Sequence, residues 1–267
     1  MTLSDRDAIA LPPRWRWPQW YWLPIAIVLL GFFLHGVFIS ELTPARLIRG
    51  FFRLGQFLQE AFPPSPTRLG SVIEATIETF EIALVGTVAG AIVSLPLSLL
   101  AASNTSPHPA LATGVRSLVA LLRVVPDLIW GLIFIVVVGL GAAPGIMAIA
   151  VDTIGFCGKF FAERIEEIEP GPMEALKALG ASRWGVVAGA IIPAALPSFV
   201  ATSLFALESS VRSAVVLGLV GAGGIGVELQ TSMQLLRYDE ALTIILVIFA
   251  VVTAVERMAA TIRKAVL

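Results

Sequence analysis

Residues 166–184 read EEIEPGPMEALKALGASRW, a charged segment that separates two long apolar runs. Pro172 suits the first position of a short helix, and Glu174 lies in its first turn, where the helix dipole favours an anion. Gly180 can adopt the left-handed conformation that ends such a helix, and Ser182 can cap the next one. The sequence therefore predicts two short helices here, in a segment that we call the 166–184 loop.

A stripe of apolar side chains accompanies the first of these helices. Met173, Leu176 and Leu179 recur every three residues, so they lie close to one face of the helix. An exposed helix in water carries such a stripe where a partner packs on it. We therefore expect the stripe to be a docking surface for another protein.

The apolar runs around the loop are long enough to cross a bilayer, which takes about 20 residues. Residues 128–151 carry no formal charge, and the glycines and proline at 139–145 divide them into two helices. The first should begin near Gly114 and bend at Pro126, and the second should continue to about Arg164. The remaining predicted spans are residues 22–40, 82–102, 184–207 and about 238–257. The count is six transmembrane helices.

The composition also indicates a bilayer as the solvent. Apolar residues make up 57% of the 267 residues and charged residues 14%, against about 25% charged in soluble domains. A net charge of -1 excludes a basic surface for nucleic acid. The single cysteine, Cys157, excludes an intrachain disulfide, and with only two separated histidines a zinc site is not expected. We predict an all-α membrane protein without a metal and without a nucleic-acid partner.

Residues 1–21 are expected to be cytoplasmic and residues 22–40 to form an anchor helix. This run is too long for the apolar part of a typical signal peptide, so we expect it to be retained. Residues 41–72 should be an external loop in which residues 44–61 form an interfacial amphipathic helix, with a plain loop as the alternative. Residues 73–267 form the core. In this topology 11 basic residues fall inside and 5 outside, which places both termini in the cytoplasm.

Glu208 and Arg212 lie four residues apart and so share one face of a predicted helix. Either charge alone at membrane depth costs at least about 2.5–3.5 kcal/mol, so the two must pair or face water. Two interpretations stay open. The pair only orients the helix, or it lines a passage in which Arg212 transiently meets an oxyanion and Glu208 keeps that binding weak.

Residues 221–226, Gly-Ala-Gly-Gly-Ile-Gly, match the G-x-G-x-x-G pattern of dinucleotide sites. The alternation of strand and helix that such a site requires is absent, so the context disfavours a dinucleotide site. Irregular backbone at membrane depth occurs only beside protein or a water-filled cavity. We expect the segment either to let helices pack closely or to line the outer part of a passage.

The sequence also resembles a known family. Glu174-Ala175, Gly180 and Ile192-Pro193 resemble the Glu-Ala-Ala coupling loop of bacterial ABC-importer permeases, although Leu176 stands where alanine is usual. Further strings are similar to the membrane subunit of phosphonate and phosphite ABC importers over about residues 70–265. These strings are PDLIW at 126–130, VGLG at 138–141, EPGPME at 169–174, ESSVRSA at 208–214 and VGAGGIG at 220–226.

The resemblance implies a type I ABC importer permease fold in the bacterial cytoplasmic (inner) membrane. It implies a homodimer that works with two ATP-binding subunits and an external substrate-binding protein. Closure of the ATPase subunits would drive import of phosphonate, phosphite or a related phosphorus oxyanion. No cofactor is expected in this chain, which lacks a Gly-x-x-x-x-Gly-Lys-Ser/Thr loop, so ATP and Mg would bind the partner ATPase.

The motifs and the resemblance together give the expected site residues. Coupling to the ATPase is expected at Glu174, Ala175, Leu176, Leu179 and Gly180. The translocation path or gate is expected at Asp127, Glu208, Arg212, Gly221, Gly223, Gly224 and Gly226.

Two alternatives remain open. A permease for another small solute, of the methionine or alkanesulfonate type, would share the coupling loop. An intramembrane enzyme acting on lipid or peptide would use Asp127, Asp152 and Glu208 as buried acids. Such an enzyme would work as an isolated polypeptide, whereas a permease is inert without its ATPase.

Overall fold

The computed structural model describes residue 20, residues 22–40 and residues 43–266, and folds them largely into helices. These are α1 (Trp22–Ile39), α2 (Pro44–Ala61), α3 (Leu69–Ala101), α4 (Pro109–Val124), α5 (Asp127–Val138), α6 (Ala142–Glu166), α7 (Pro170–Ala178), α8 (Arg183–Val186), α9 (Ile192–Gly218), α10 (Ile225–Gln234) and α11 (Tyr238–Val266). A π-helical turn at Val187–Ile191 joins α8 to α9. The predicted cytoplasmic segment 1–21 lies, except for Trp20, outside the described residues.

The chain divides into two compact units, one ending at Leu58 and one, the core unit, beginning at Gln59. Within the described residues, five helices are long and apolar enough to cross a membrane: Trp22–Ile39, Leu69–Ala101, Ala142–Glu166, Arg183–Gly218 and Tyr238–Ala265. The pair α4 and α5 passes the same test together, although its two helices meet at 87°. Counted as one broken span, this pair gives the six predicted helices.

The break between α4 and α5 falls at the predicted proline. Val125, the residue before Pro126, is extended, as the clash with a following proline ring favours. Pro126 has no N–H for the carbonyl of Leu122, four residues earlier. The indole N–H of Trp130 donates to that carbonyl instead, at 3.3 Å. A side chain thus satisfies the backbone group that the proline leaves without its helical partner.

The helices extend beyond the charge-free runs that predicted them. α3 begins at Leu69 instead of residue 82, and α11 continues past Arg257 to Val266. Glu74 and Glu81 lie on the early turns of α3 and are exposed. A run without charges marks the part of a helix that hydrocarbon can surround, whereas the helix itself continues wherever its charged side chains remain exposed.

Two glycines allow α3 and α6 to approach closely. A Cβ on Gly86 would lie 2.7 Å from Cγ2 of Ile149, and one on Gly90 would lie 2.5 Å from Cβ of Thr153. Small residues four apart serve this purpose in membrane helices, because association there depends on packing and not on expulsion of water. α3 is also joined to α9 by a buried hydrogen bond of 2.8 Å from Thr87 to Ser210.

Hydrogen bonds define two opposite ends of the core unit. At one end, which we call the loop end, the Glu166 carboxylate accepts from the Ser103 amide at 2.6 Å and pairs with Arg116. This end joins the C-termini of α3 and α6 to the middle of α4, and the 166–184 loop follows α6 directly. At the opposite end, the Gly141 amide donates to the Gly221 carbonyl at 3.0 Å, and Arg68 pairs with Glu228 at 2.9 Å.

We expect Gly90→Val to destabilise the core unit, because the added methyl groups would meet Thr153 and the Ala150 carbonyl. Overpacking of this kind typically costs about 1–3 kcal/mol. The melting temperature of the purified protein in detergent measures the effect. Gly114→Val is the matched control, since a Cβ on Gly114 meets nothing within 4 Å. Equal melting temperatures for the two variants would contradict this account of the α3–α6 contact.

Candidate functional site

The 166–184 loop forms the two short helices that its sequence predicts. α7 begins at Pro170, two residues before the predicted Pro172, so Glu174 lies in its second turn and the prediction that it lies in the first is wrong. The helix ends in a Schellman turn. In this turn Gly180 has φ +78°, its amide donates to the Lys177 carbonyl at 2.9 Å, and the next amide donates to the Leu176 carbonyl at 3.0 Å. The hydroxyl of Ser182 accepts from the Gly185 amide at 3.1 Å and caps α8, as predicted.

The apolar stripe of α7 is divided between the protein interior and the surface. Met173 is 7% exposed and joins the core cluster of the loop end, against which Leu176 packs half-buried. Met173 is therefore not available to a partner, whereas Leu176 keeps part of its side chain exposed and its docking role stays a prediction. Spacing along a helix shows which side chains share a face but not whether the same chain already covers that face.

The exposed surface of the loop consists of other side chains. Glu174, Ala175 and Leu179 are exposed, Leu179 at 83%. Trp184, 76% exposed, is a second large apolar side chain that the loop presents, and it was not assigned to the site from the sequence. Because Trp184 stands at the start of an uncharged run, the sequence predicts it as the first residue of the span 184–207.

The predicted pair Glu208 and Arg212 belongs to a chain of four charges between α9 and α11. Arg212 Nη1 lies 3.5 Å from Glu208 Oε1 and 2.6 Å from Glu256 Oε1. Arg263 Nη2 lies 3.2 Å from the other oxygen of Glu208. The isolated-pair prediction is therefore incomplete. Glu256 and Arg263 are seven residues apart, two turns on one face of α11, which is the sequence signal that could have suggested them.

Exposure differs along this charge chain. The side chains of Glu208 and Arg263 are 13% and 26% exposed, and the Arg263 guanidinium lies 5.9 Å from the ring centroid of Phe205. The side chains of Arg212 and Glu256 are 44% and 45% exposed. Charges exposed along membrane helices must face water or another protein, so the Arg212–Glu256 side of the chain points to a polar neighbour.

The glycine-rich segment packs tightly against three other parts of the core unit. Gly221, Gly223 and Gly224 have φ of +99°, +84° and +74°, a region that glycine adopts readily. A Cβ on Gly223 would lie 2.7 Å from a carboxylate oxygen of Glu78, and one on Gly226 would lie 2.1 Å from the Val215 carbonyl. This geometry accounts for the close-packing interpretation of the segment.

The backbone of this segment is also satisfied from α3. The buried Thr79 hydroxyl accepts a hydrogen bond of 2.7 Å from the Ile225 amide at the start of α10.

Asp127, the remaining predicted path residue, begins α5 and accepts a hydrogen bond from the Leu128 amide at 2.7 Å. In the part of the chain that the structure describes, no hydrogen bond or ion pair joins Asp127 to Glu208 or Arg212. No cluster of three His, Cys, Asp or Glu residues suited to a metal lies within the described ranges either.

Comparisons with known proteins match most of the chain. Residues 94–266 match the family model of the binding-protein-dependent transport system inner membrane component. The phosphite transport system permease protein PtxC of Stutzerimonas stutzeri is 38% identical over 240 residues, 90% of this chain and 87% of that protein. The phosphate-import permease protein PhnE of Mycolicibacterium smegmatis is 37% identical over 89% of this chain and 45% of that protein.

Solved structures share the fold. The inward-facing MetNI methionine ABC transporter matches with a TM-score of 0.66 at 22% identity, over 76% of this chain and 99% of that chain. A bacterial ABC transporter for alginate matches with a TM-score of 0.57 at 16% identity, over 92% of this chain and 98% of that chain. These likenesses confirm the predicted type I ABC importer permease fold.

We expect the double exchange Glu208→Arg with Arg212→Glu to destabilise the protein, although an isolated pair would tolerate it. The new arginine would face Arg263 and the new glutamate would face Glu256. The melting temperature should fall below that of the neutral variant Glu208→Gln with Arg212→Gln. Adding Glu256→Arg and Arg263→Glu restores the alternation of charge and should recover stability. A double exchange as stable as the unmodified protein would contradict the four-charge arrangement.

Proposed function

This chain belongs to the binding-protein-dependent transport system inner membrane component family, and we propose that its substrate is a phosphorus oxyanion. It is the permease subunit of an ABC importer and crosses the inner membrane several times. The observation that supports this substrate class is the 38% sequence identity between this chain and the phosphite transport permease protein, which extends over 90% of this chain. Phosphonate and phosphite are the proposed substrates, ahead of the methionine type, for which the structural likeness supports only the fold.

The exposed surface of the 166–184 loop is the proposed contact with an ATPase subunit. Glu174 and Ala175 on α7, and Leu179 directly after it, face solvent and are free to meet a partner. Leu176 packs half-buried against the protein's own core, and its exposed part is proposed to belong to the same contact. Gly180 holds the turn that fixes the direction in which the loop leaves α7.

The packing beneath the 166–184 loop connects α7 to the membrane helices α6 and α9. Met173 belongs to the same buried cluster as Phe161 of α6 and Phe199 of α9, whose rings lie 4.3 Å apart. Close-packed interiors shift between discrete arrangements and do not deform continuously. A displacement of α7 by the ATPase is therefore proposed to move α6 and α9 together.

The proposed translocation path runs along the exposed side of the charge chain, between two copies of the subunit. Arg212 is the proposed contact for the oxyanion. An incoming oxyanion would compete with the Glu256 carboxylate for the Arg212 guanidinium, so binding there is brief, which transport requires. The glycines at 221, 223, 224 and 226 are proposed to border the same path nearer its outer end, and Asp127 is proposed to border it at the start of α5, beside Asp152.

The remaining assignments complete the proposed assembly. Two ATP-binding subunits hydrolyse ATP with Mg, this chain holds no cofactor and performs no chemistry, and an external binding protein selects the substrate. The partner permease is proposed to be a second copy of this chain. The loop end faces the cytoplasm, which puts both termini of a six-span chain on that side.

The N-terminal segments have proposed places in the membrane. Residues 1–21 are cytoplasmic, α1 is the anchor, and α2 is an interfacial helix in the external segment 41–72. In α2, Arg46, Arg49 and Arg53 fall on one side of the helix at 100° per residue. The exposed apolar side chains opposite them are Leu47, Ile48, Phe51, Phe52, Leu54 and Leu58. This separation suits a helix lying in the membrane surface.

Gly180→Val is expected to abolish uptake while the subunit still inserts and assembles. A β-branched residue at φ +78° is strained, so the Schellman turn and the direction of the loop would change. The measurement is substrate uptake by cells that express the complete importer, with membrane levels checked by immunoblot. Gly171→Val is the control, because a Cβ there meets nothing within 4 Å and Gly171 has no positive φ. Normal uptake by Gly180→Val would contradict the coupling role.

Reconstituted importer, with its ATPase and binding protein, should take up labelled phosphite or methylphosphonate in an ATP-dependent manner. Unlabelled phosphite should compete with this uptake, whereas methionine and an alkanesulfonate should not. Uptake of methionine or an alkanesulfonate in place of phosphorus oxyanions would contradict the substrate class while leaving the permease role intact. Chemical conversion of lipid or peptide by the isolated chain would favour the enzyme alternative.

A further inference from the structure

A groove between α4 and α6 at the loop end has no part in the proposed coupling or path. Its volume is about 510 Å3, and it lies open on one side of the core unit. Its wall is built from small or apolar residues: Ala101, Val119, Ala120, Val124, Gly158 and Ala162. Its charged residues are Arg116, Arg123, Lys159, Glu163 and Glu166.

Two cations of the groove approach the same aromatic ring. The Arg123 guanidinium lies 5.6 Å and the Lys159 ammonium 5.7 Å from the ring centroid of Phe160. Lys159 lies 3.5 Å from Glu163, while the Arg123 guanidinium interacts with the Asp152 carboxylate only at a distance and forms no hydrogen bond or ion pair within the described residues. Arg123 and Lys159 both line the groove, so an anion held there would meet two cations and give Arg123 a hydrogen-bonding partner.

The direction of the Arg123 side chain indicates where that anion lies. Its backbone packs at Gly155, where a Cβ would be 3.0 Å from the Arg123 nitrogen. Gly155 is about 16 Å along the α6 axis from Glu166, whereas Phe160 is only about 9 Å from it. The guanidinium therefore reaches toward the loop end, as basic side chains do when they extend to the headgroup level.

We propose that this groove binds an anionic phospholipid of the cytoplasmic leaflet. The lipid phosphate lies between Arg123 and Lys159, and an acyl chain follows the wall formed by Val119, Ala120 and Gly158. Arg116 stays with Glu166 and the Ala101 carbonyl and forms the rim. The assignment of the cytoplasmic side rests on the proposed orientation of the permease.

The shape and chemistry of the groove favour a lipid over the transported oxyanion. A small phosphorus oxyanion is polar on every side and needs donors around it, whereas most of this wall is apolar. A phospholipid matches both parts, since it carries a phosphate and long apolar chains. The open side of the groove also allows chains to enter laterally from the bilayer.

Native mass spectrometry of the complete importer in detergent, with phosphatidylglycerol or phosphatidylcholine added, tests the proposal. Phosphatidylglycerol should be retained in preference to phosphatidylcholine, and Arg123→Gln with Lys159→Gln should weaken its retention by roughly 25-fold, at about fivefold for each basic residue. Arg257→Gln with Lys264→Gln is the matched control, because it removes two exposed charges near the same end without touching the groove. Equal loss of lipid in both double variants would overturn the proposal.

A second variant leaves every charge in place. Ala120→Trp fills the apolar wall and should also reduce phosphatidylglycerol retention, whereas Ser117→Trp, exposed on the same helix outside the groove, should not. Unchanged retention in Ala120→Trp overturns the proposal. The readout is lipid retention and not uptake, so its result is independent of the substrate assignment.

Two further measurements separate other occupants of the groove. Displacement of the lipid by free phosphite at millimolar concentration would identify the groove as an oxyanion site and overturn the lipid assignment. A disulfide between two copies carrying Ala120→Cys would show that a second subunit covers the groove, with the same consequence. Absence of both, with the predicted lipid losses, supports the proposal.

Discussion

Hydrogen bonding of the backbone inside hydrocarbon is the constraint on which this structure depends. No water is present there to satisfy a free N–H or C=O, so each departure from regular helix needs a partner from the protein itself. At the α4–α5 break the partner is the Trp130 indole, whose N–H donates to the Leu122 carbonyl that Pro126 leaves without a helical partner. At the glycine-rich segment the Thr79 hydroxyl accepts from the Ile225 amide. At both breaks a neighbouring helix brings a suitable polar group.

The same constraint explains how charges are distributed in the core unit. Glu208 lies largely shielded between two arginines, while Arg212 and Glu256 remain half-exposed beside each other. A charge chain of this kind joins α9 to α11 and leaves one side available to water. It can thus stabilise the fold and line a path at once, so the two interpretations left open by the sequence do not exclude each other.

The sequence predicts the fold well because hydrocarbon imposes a simple requirement on composition. Charge-free length identified the membrane segments, and Pro126 and Gly180 marked a bend and a turn for local steric reasons. Contacts between helices that are far apart in the sequence could not be predicted from it. Whether Met173 meets a partner or its own core depends on what packs under α7, and the partners of Glu208 depend on the register between α9 and α11. Periodicity defines faces, whereas tertiary packing decides what each face meets.

The π-helical turn at Val187–Ile191 has a consequence for everything beyond it. It lies between the 166–184 loop and the charged residues of α9, within one continuous helix. Such a turn accommodates one residue more than α-helical winding would, and each residue of an α-helix rotates the following chain by about 100°. The turn therefore fixes the direction in which the side chains of α9 point about the helix axis. Wound as plain α-helix with the same residues, the segment would swing Glu208 and Arg212 by about 100° away from Glu256 and Arg263 while leaving all four charges in the protein.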